Sequence, residues 1–495
     1  MTKPFYITTP IYYINDVPHI GHAYTTIAAD VLARYKRTQL GEKNVFYLTG
    51  TDEHGQKVAD AAAKKGLTPQ AFVDTLIPHW QNAWKKLGIS NNDFIRTTEQ
   101  RHIDVVQKIF SKLLKQGDVY KGEYEGWYCS ACETFWTETQ LIDGKCPNTE
   151  CKRDVQKLKE ESYFFKLSKH ENKLLEYFTS HPECVQPDSR RNEMISFIKQ
   201  GLKDLSISRT TFTWGVPIKE DPKHVVYVWF DALINYVSGL GYDPEKNTFE
   251  KQYWPADVHL MGKEIVRFHT VIWQAMLMAL GVELPKLVFG HGWWTVEGDK
   301  MSKSKGNVID PIKLADEFGV DATRYFLLRE VSFGSDGDFS LARFKQRYNT
   351  DLANDIGNLF SRALNMCDKY FANNLPKEYV SQNNPKDLEV HALIKSLPDK
   401  VNKAMNELAF SQALDAIWEL VGKANKYIEE SAPWTLAKNN EMAALANVIW
   451  TLIEVMKSCV RFVAPFMPET AIKMEEQLLT MKKGEPLFPR LDLKK

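Results

Sequence analysis

Residues 4–55 read PFYITTPIYYINDVPHIGHAYTTIAADVLARYKRTQLGEKNVFYLTGTDEHG. PFYITT is strand-like, and Pro10 is expected to end it. After PHIGH, the residues Ile27, Val31, Leu32 and Tyr35 recur at helical spacing and Gly41 closes the run. NVFYLTG then reads as a buried strand that enters the polar turn TDEHG. Strand, helix, strand in this order is a βαβ unit with a parallel sheet. The PHIGH segment therefore falls between the carboxyl end of the first strand and the next helix. Open α/β sheets bind ligands at that place.

The 495 residues suggest about three domains. Hydrophobic content is 44% and charged content 25%, ordinary for a globular chain with a sizeable core. The net charge is +0, and from Gln346 to Lys495 there are 19 Lys+Arg against 19 Asp+Glu, so no basic tail announces nucleic acid. MTKPFYITTP lacks the apolar core of a secretion signal and the Arg/Ser bias of a transit peptide. No uninterrupted apolar run of 18 or more residues appears, so no membrane span is expected and a cytoplasmic location is. Four of the seven cysteines fall between Cys129 and Cys151, which reads as metal binding rather than a disulfide framework.

Helical patterns continue to about Gln116. From Gly117 to Lys157 the texture changes to Gly, Cys, Trp and charge with little periodicity, which marks an inserted small domain. HVVYVWFDALINYV and PADVHLMGKEIVRFHTVIWQAMLMAL restore strand-then-helix texture. From about Phe344 onward the chain reads as helix after helix, a bundle. SQNNPKD is a polar linker.

Two short stretches carry chemistry. His19 and His22 stand i and i+3 at a helix opening, on one face. A helix N-terminus offers N–H groups and a positive dipole end, and two imidazoles would add donors for phosphate. Gly21 keeps the backbone bare for close approach. Alone, such a histidine pair is as readily packing or surface. Lys300 to Ser304, KMSKS, followed by Lys305 and Gly306, is by itself a solvated charge run on a flexible loop. The cysteines Cys129, Cys132, Cys146 and Cys151 form two close pairs, which suit a tetrahedral structural zinc with no open position.

HIGH and KMSKS together, in this order around a βαβ unit, resemble the two signatures of class I aminoacyl-tRNA synthetases. TPIYYIN, GTDEHG, YVWFDALINY and GHGWW resemble the methionyl branch of that family. The resemblance implies an α/β fold: a Rossmann-like parallel-sheet catalytic domain with a zinc-bearing insertion, then an all-α anticodon-binding helix bundle. It divides the chain into 1–116 and 225–285 (the two catalytic halves), 117–224 (the insertion with the zinc knuckle), 286–343 (the KMSKS-bearing stem-contact region) and 344–495 (the anticodon-binding domain). It implies activation of L-methionine by ATP to methionyl-adenylate and pyrophosphate, then transfer to the 3′ end of tRNA(Met).

By carry-over, His19, Gly21 and His22 hold ATP, and Lys300 and Lys303 close over the leaving pyrophosphate on a mobile loop. Asp52 anchors the α-ammonium, while Ile11, Tyr13, Trp229, Tyr236 and His291 surround the thioether, a polarizable group that gains from aromatic edges. Such a slot discriminates weakly against one missing methylene, which makes homocysteine the dangerous near-cognate. Asn358, Arg362 and Trp434, from NLFSR and SAPW, would read the CAU anticodon, Trp434 by stacking. One zinc is implied in the insertion and magnesium with ATP. The second cysteine pair, CPNTEC, is one residue longer than the usual C-P-x-x-C. Gln274 stands where proline is frequent. The chain ends without the family's C-terminal tRNA-binding extension, which implies a monomer. The competing readings are a cysteinyl or leucyl class I enzyme, and a non-catalytic synthetase-like tRNA-binding protein. The first lacks support because all clustered cysteines lie in the insertion and no large editing insertion is present. The last would predict damaged signatures, and both are intact.

Overall fold

The computed structural model describes residues 3–132, 134–136, 138–148, 151–301, 306–375 and 384–492. The chain forms two compact units. The first runs to Pro18, from Lys36 to Ala83 and from Ser90 to His291; the second comprises His19–Tyr35, Trp84–Ile89 and the chain from Gly292 on.

The first unit is built on a six-stranded sheet. Its strands β1 (Phe5–Tyr13), β2 (Val45–Asp52) and β3 (Asp93–Arg96) lie in the order β3-β2-β1. Val258–Gly262, Val288–His291 and Val185–Gln186 continue the sheet on the other side of β1. Every pairing is parallel. The order reverses at β1, so the crevice at its carboxyl end is the topological switch point. β2 is buried along its whole length, as its unbroken apolar run predicted.

Pro10 does not end β1. The strand continues to Tyr13, and its register with β2 shifts between Thr8 and Ile11. Proline cannot donate to the ladder, and an irregularity at that point lets the strand continue without its N–H. The stretch of weak periodicity after Gly117 is also ordered. Strand β4 (Val119–Cys129) pairs antiparallel with β5 (Thr134–Trp136) and, from Val119↔Phe165 to Tyr128↔Gln156, with β6 (Gln156–Phe165).

In the second unit, helix α1 begins at Ile20 and runs to Leu40. Ile27, Val31, Leu32 and Tyr35 are all buried, and Gly41 follows with φ 89°, a left-handed value that ends the helix without a Cβ clash. The helices Pro385–Asn406, Phe410–Ser431, Met442–Val463 and Pro468–Thr480 pack on one another as a bundle. Met442–Val463 is long and apolar enough to cross a bilayer by length and composition alone. Leu445, Ile449, Leu452, Val455, Met456 and Cys459 of it are buried within the bundle, so it packs as a core helix.

One buried cation organises this unit. Arg324 is fully buried and donates to Asp30 of α1 at 2.7 Å, to the Leu87 carbonyl at 3.1 Å, and to the carbonyls of Pro465 and Phe466 at 3.0 and 2.9 Å. Asp30 is fully buried as well and accepts from Arg34. Truncating one partner of such a pair strands a desolvated charge and several carbonyls, which costs about 3–5 kcal/mol. Arg324→Ala is therefore expected to lower the unfolding free energy from urea titration by that much, whereas Arg34→Ala, half-exposed, lowers it by about 1 kcal/mol or less. Equal shifts would contradict the assignment.

Candidate active site and metal centre

The carboxyl edge of the sheet gathers several predicted residues of the first unit. Tyr13 and Asp52 are register partners at the ends of β1 and β2, and His291 pairs with Gly262 at the ends of the neighbouring strands. Ile11 lies two places before Tyr13 on the same face of β1, because side chains alternate along a strand. Asp52 and His291 are buried, Ile11 and Tyr13 half-buried.

Beside them lies an aromatic cluster. Trp229, half-buried at the start of helix Val228–Leu233, stacks on Phe268 with ring centroids 3.8 Å apart and planes 7° apart. Phe268 opens a π-helical turn, Phe268–Ile272, the kind of local widening that re-aims side chains at functional sites. His269, one residue on, is buried. Its Nδ1 must donate to the Ile265 carbonyl at 2.9 Å, so its Nε2 accepts from the Tyr236 hydroxyl at 2.7 Å. Tyr236 also lies 4.2 Å, centroid to centroid, from His259. His259 in turn accepts from Trp273 Nε1 at 3.3 Å and meets Thr8 Oγ1 at 2.7 Å. Burial holds His259 well below the imidazole range and pulls His269 down to about 4. Both rings are neutral, and each meets a hydroxyl, that of Tyr236 on His269 and that of Thr8 on His259.

Reading the sequence missed Phe268, His269, His259 and Trp273. The available signal was a histidine inside an otherwise apolar run, in VHLMG and in RFHTVIW. An apolar core accepts a histidine only with fixed partners.

In the second unit, the HIGH histidines form a stacked pair with centroids 3.7 Å apart. The His19 N–H donates to His22 Nδ1 at 3.2 Å, and the Gly21 N–H donates to His19 Nδ1 at 3.1 Å. With Nδ1 accepting, each neutral ring carries its proton on Nε2. Burial, then the neighbouring His19, holds His22 well below the usual range. The expectation of open amides at this helix start needs correction. The N–H groups of His19, Ile20 and Gly21 are already used, that of Ile20 by the Ile309 carbonyl at 3.0 Å. Those three amides are therefore engaged within the chain. A Cβ on Gly21 would stand 3.0 Å from the His19 ring and 4.0 Å from Met301 Cε, so a larger residue would crowd the His19 ring, and Gly21 lies against the start of KMSKS. Lys300 is exposed, with its ammonium 5.3 Å from the Trp293 ring centroid. Lys303 lies outside the described residues.

The four clustered cysteines converge. Cys129 and Cys151 Sγ are 3.5 Å apart, Cys132 and Cys146 Sγ 3.6 Å, and all four sulfurs lie within 4.8 Å of one another. A tetrahedral Zn–S distance of about 2.3 Å demands sulfur separations of about 3.8 Å. The longer second pair thus closes as well as a short one. The Cys151 N–H donates to the Asn148 carbonyl at 2.9 Å, and Asn148 Nδ2 donates to Cys132 Sγ at 3.4 Å. This cluster could hold a zinc ion.

In the bundle, Asn358 and Arg362 share one face of helix Asn358–Phe371, and Arg362 pairs with Glu429 near the end of helix Phe410–Ser431 at 2.6 Å. Trp434 is 48% exposed at the start of the next helix, Pro433–Lys438, an unusual exposure for the largest apolar side chain.

Residues 5–364 match the family model described as tRNA synthetases class I (M), and residues 380–490 match the anticodon binding domain of methionyl tRNA ligase. The chain belongs to the methionyl class I tRNA synthetases. Relatives in that family include the methionine–tRNA ligase of Caldanaerobacter subterraneus subsp. tengcongensis, 55% identical over 100% of this chain and 80% of the relative. That of Bacillus subtilis is 49% identical over 99% of this chain and 78% of the relative. The Mycobacterium tuberculosis methionyl-tRNA synthetase in complex with methionyl-adenylate superposes with a TM-score of 0.91 at 42% identity, covering 96% of this chain and 94% of that one. As a methionyl-tRNA synthetase the chain is an aminoacyl-tRNA ligase that joins methionine to tRNA, with the parallel-sheet catalytic and helical anticodon-binding parts expected.

The neutral histidines set a pH dependence. The folded pKa of His269 is about 4, against an ordinary value of 6.5. The unfolded chain therefore binds the proton first, and stability present above pH 6.5 is lost as pH falls toward 4. For His269 the loss is roughly 3 kcal/mol, and His259 adds to it with the same sign. The melting temperature should fall across this window, less steeply in His269→Gln. Parallel curves would rule out a neutral His269.

Proposed function

We propose that the chain activates L-methionine with ATP through the residues described above, then transfers methionyl to the 3′ end of a tRNA(Met) with a CAU anticodon. Support comes chiefly from the second unit: HIGH and KMSKS, far apart in sequence, meet where Gly21 lies against Met301.

In this reading the methionine carboxylate attacks the α-phosphorus of ATP, an oxygen–phosphorus bond forms, and pyrophosphate leaves. Charge builds on the phosphate oxygens, so catalysis rests on placement and on donors aimed at those oxygens. His19 and His22 supply Nε2–H donors, with Gly21 leaving room at the backbone. Lys300 and Lys303 supply the positive charge that pairs with the departing pyrophosphate. Magnesium arrives with ATP as part of that substrate. Asp52 pairs with the α-ammonium. Ile11, Tyr13, Trp229, Tyr236 and His291 enclose the side chain, whose sulfur gains from aromatic edges. In the second step the terminal tRNA hydroxyl attacks the adenylate carbonyl and AMP leaves. Asn358 and Arg362 read anticodon base edges, and Trp434 stacks on an unpaired base.

Cys129, Cys132, Cys146 and Cys151 hold one structural zinc, for which the sulfur separations are suitable. The ion supplies a cross-link for an insertion with little core of its own. The domain division given above, a monomeric state, a cytoplasmic location and independence of membranes complete the proposal.

Purified protein should catalyse pyrophosphate exchange driven by methionine in preference to cysteine or leucine. Exchange driven better by either competitor would reject the specificity. Trp434→Ala should lower kcat/KM for tRNA on the order of tenfold or more while exchange stays near wild type. Equal loss of both would reject the anticodon role. Elemental analysis should find about one zinc per chain, abolished in Cys146→Ser. Metal-replete wild type without zinc would reject that site.

A further inference from the structure

Asp231 is fully buried, and no part of the reaction outlined above uses it. Its two carboxylate oxygens are both taken: Oδ2 lies 2.7 Å from His54 Nδ1 and Oδ1 lies 2.8 Å from His102 Nε2. His102 Nδ1 lies 2.7 Å from Ser238 Oγ, which donates to the Asn235 carbonyl at 3.3 Å. The two imidazoles hold Asp231 below the usual carboxylate range, although burial pushes the other way. A carboxylate so enclosed cannot touch a substrate.

The positions of its partners give it a purpose. His54 lies two residues after Asp52, and Asp231 lies two residues after Trp229 and five before Tyr236. The turn around His54 is held from several sides. Glu53 takes a bidentate pair from Arg96 at 2.8 and 2.9 Å and a hydroxyl from Thr98 at 2.6 Å. Trp214 donates to the Glu53 carbonyl at 2.7 Å, and the Gly55 N–H donates to the Trp214 carbonyl at 3.1 Å. Those bonds fix the turn to its own surroundings. The hydrogen bond between His54 and Asp231 ties this turn to the Trp229–Tyr236 segment.

We propose that Asp231 is a positioning residue that, through His54 and His102, staples the Asp52 turn to the Trp229–Tyr236 segment. The staple fixes the distance between the ammonium subsite and the thioether subsite, and so sets the side-chain length that the site accepts. The inference rests on the assignment of Asp52 to the ammonium and of Trp229 and Tyr236 to the side chain. Its ligand class is an α-amino acid with an unbranched, methionine-length side chain. A slot that recognises one methylene poorly by contact alone gains selectivity if its two ends cannot drift apart.

The test is pyrophosphate exchange by the full chain with Asp231→Asn, His54→Ala and His54→Gln, using methionine, S-methylcysteine and ethionine as substrates. The expected result is a KM for methionine raised on the order of tenfold or more in Asp231→Asn and His54→Ala. The KM for ATP should not move, and the preference for methionine over the shorter and longer analogues should narrow. His54→Gln, which keeps an N–H for Asp231, should recover most of both. A general loss of structure would instead raise both KM values together or lower kcat with preference intact, and either outcome overturns the staple. So does an unchanged KM for methionine. If Asp231→Asn does not fold, the His54→Ala and His54→Gln pair decides alone. Asp52→Asn serves as the control: if it leaves the KM for methionine unchanged, the ammonium assignment fails rather than the staple.

Discussion

The buried pair of Arg324 and Asp30 fixes the second unit. Asp30 sits in α1 about two turns beyond His22, and the other acceptors of Arg324 come from the Leu87 segment and from Pro465 and Phe466, just past the Met442–Val463 helix. Desolvating a guanidinium and a carboxylate is favourable only when nearly every donor and acceptor is satisfied. That requirement leaves little freedom for the axis of α1. The helix that carries the HIGH histidines is therefore held within its unit by the C-terminal part of the chain. This explains why the first half of α1 belongs to the same compact unit as the bundle.

With the helix axis fixed, the orientation of the two imidazoles follows from short-range bonds. Each Nδ1 is held by a backbone N–H, the rings stack, and position 21 has no Cβ to crowd the His19 ring. The price is that the helix start no longer offers those amides to a ligand. A helix N-terminus binds anions through its unsatisfied N–H groups; here the same groups have been spent on aligning side chains. In the proposed reaction the donors to phosphate are imidazole N–H groups, whose tautomer the backbone bonds fix.

Much of this was legible in the sequence, and the exceptions have physical causes. The βαβ unit declared itself because the apolar residues of α1 recur at helical spacing while those of β2 run together, although Ala23–Ala33 of α1 is in fact buried on all sides. The cysteine site was readable from spacing, since tetrahedral thiolate ligation needs only two close pairs and tolerates a longer turn between the second two. Pro10 misled because a register shift, invisible in a single strand, absorbs its missing N–H. The inner wall of the pocket, His259, His269, Trp273 and Phe268, was not legible, because its residues are ordinary core types whose meaning comes from cross-chain partners such as Thr8 and Tyr236. The Asp231 network failed for the same reason: Asp231, His54 and His102 come from three separate segments, and no local spacing links them.

Three histidines of the chain share one electrostatic property. His22, His259 and His269 are all held neutral by burial. A neutral imidazole donates a directed hydrogen bond without adding charge, so it favours an oxygen at a given place more than it favours negative charge in general. In the proposed reaction the charge that a departing pyrophosphate requires comes from exposed side chains, as Lys300 is. Fixed neutral donors confer geometry, and mobile cations confer neutralisation. Exchanging the roles would fail on both counts. A rigid buried lysine would lose its charge to desolvation. A flexible exposed histidine would share its donors with water and hold no oxygen in place.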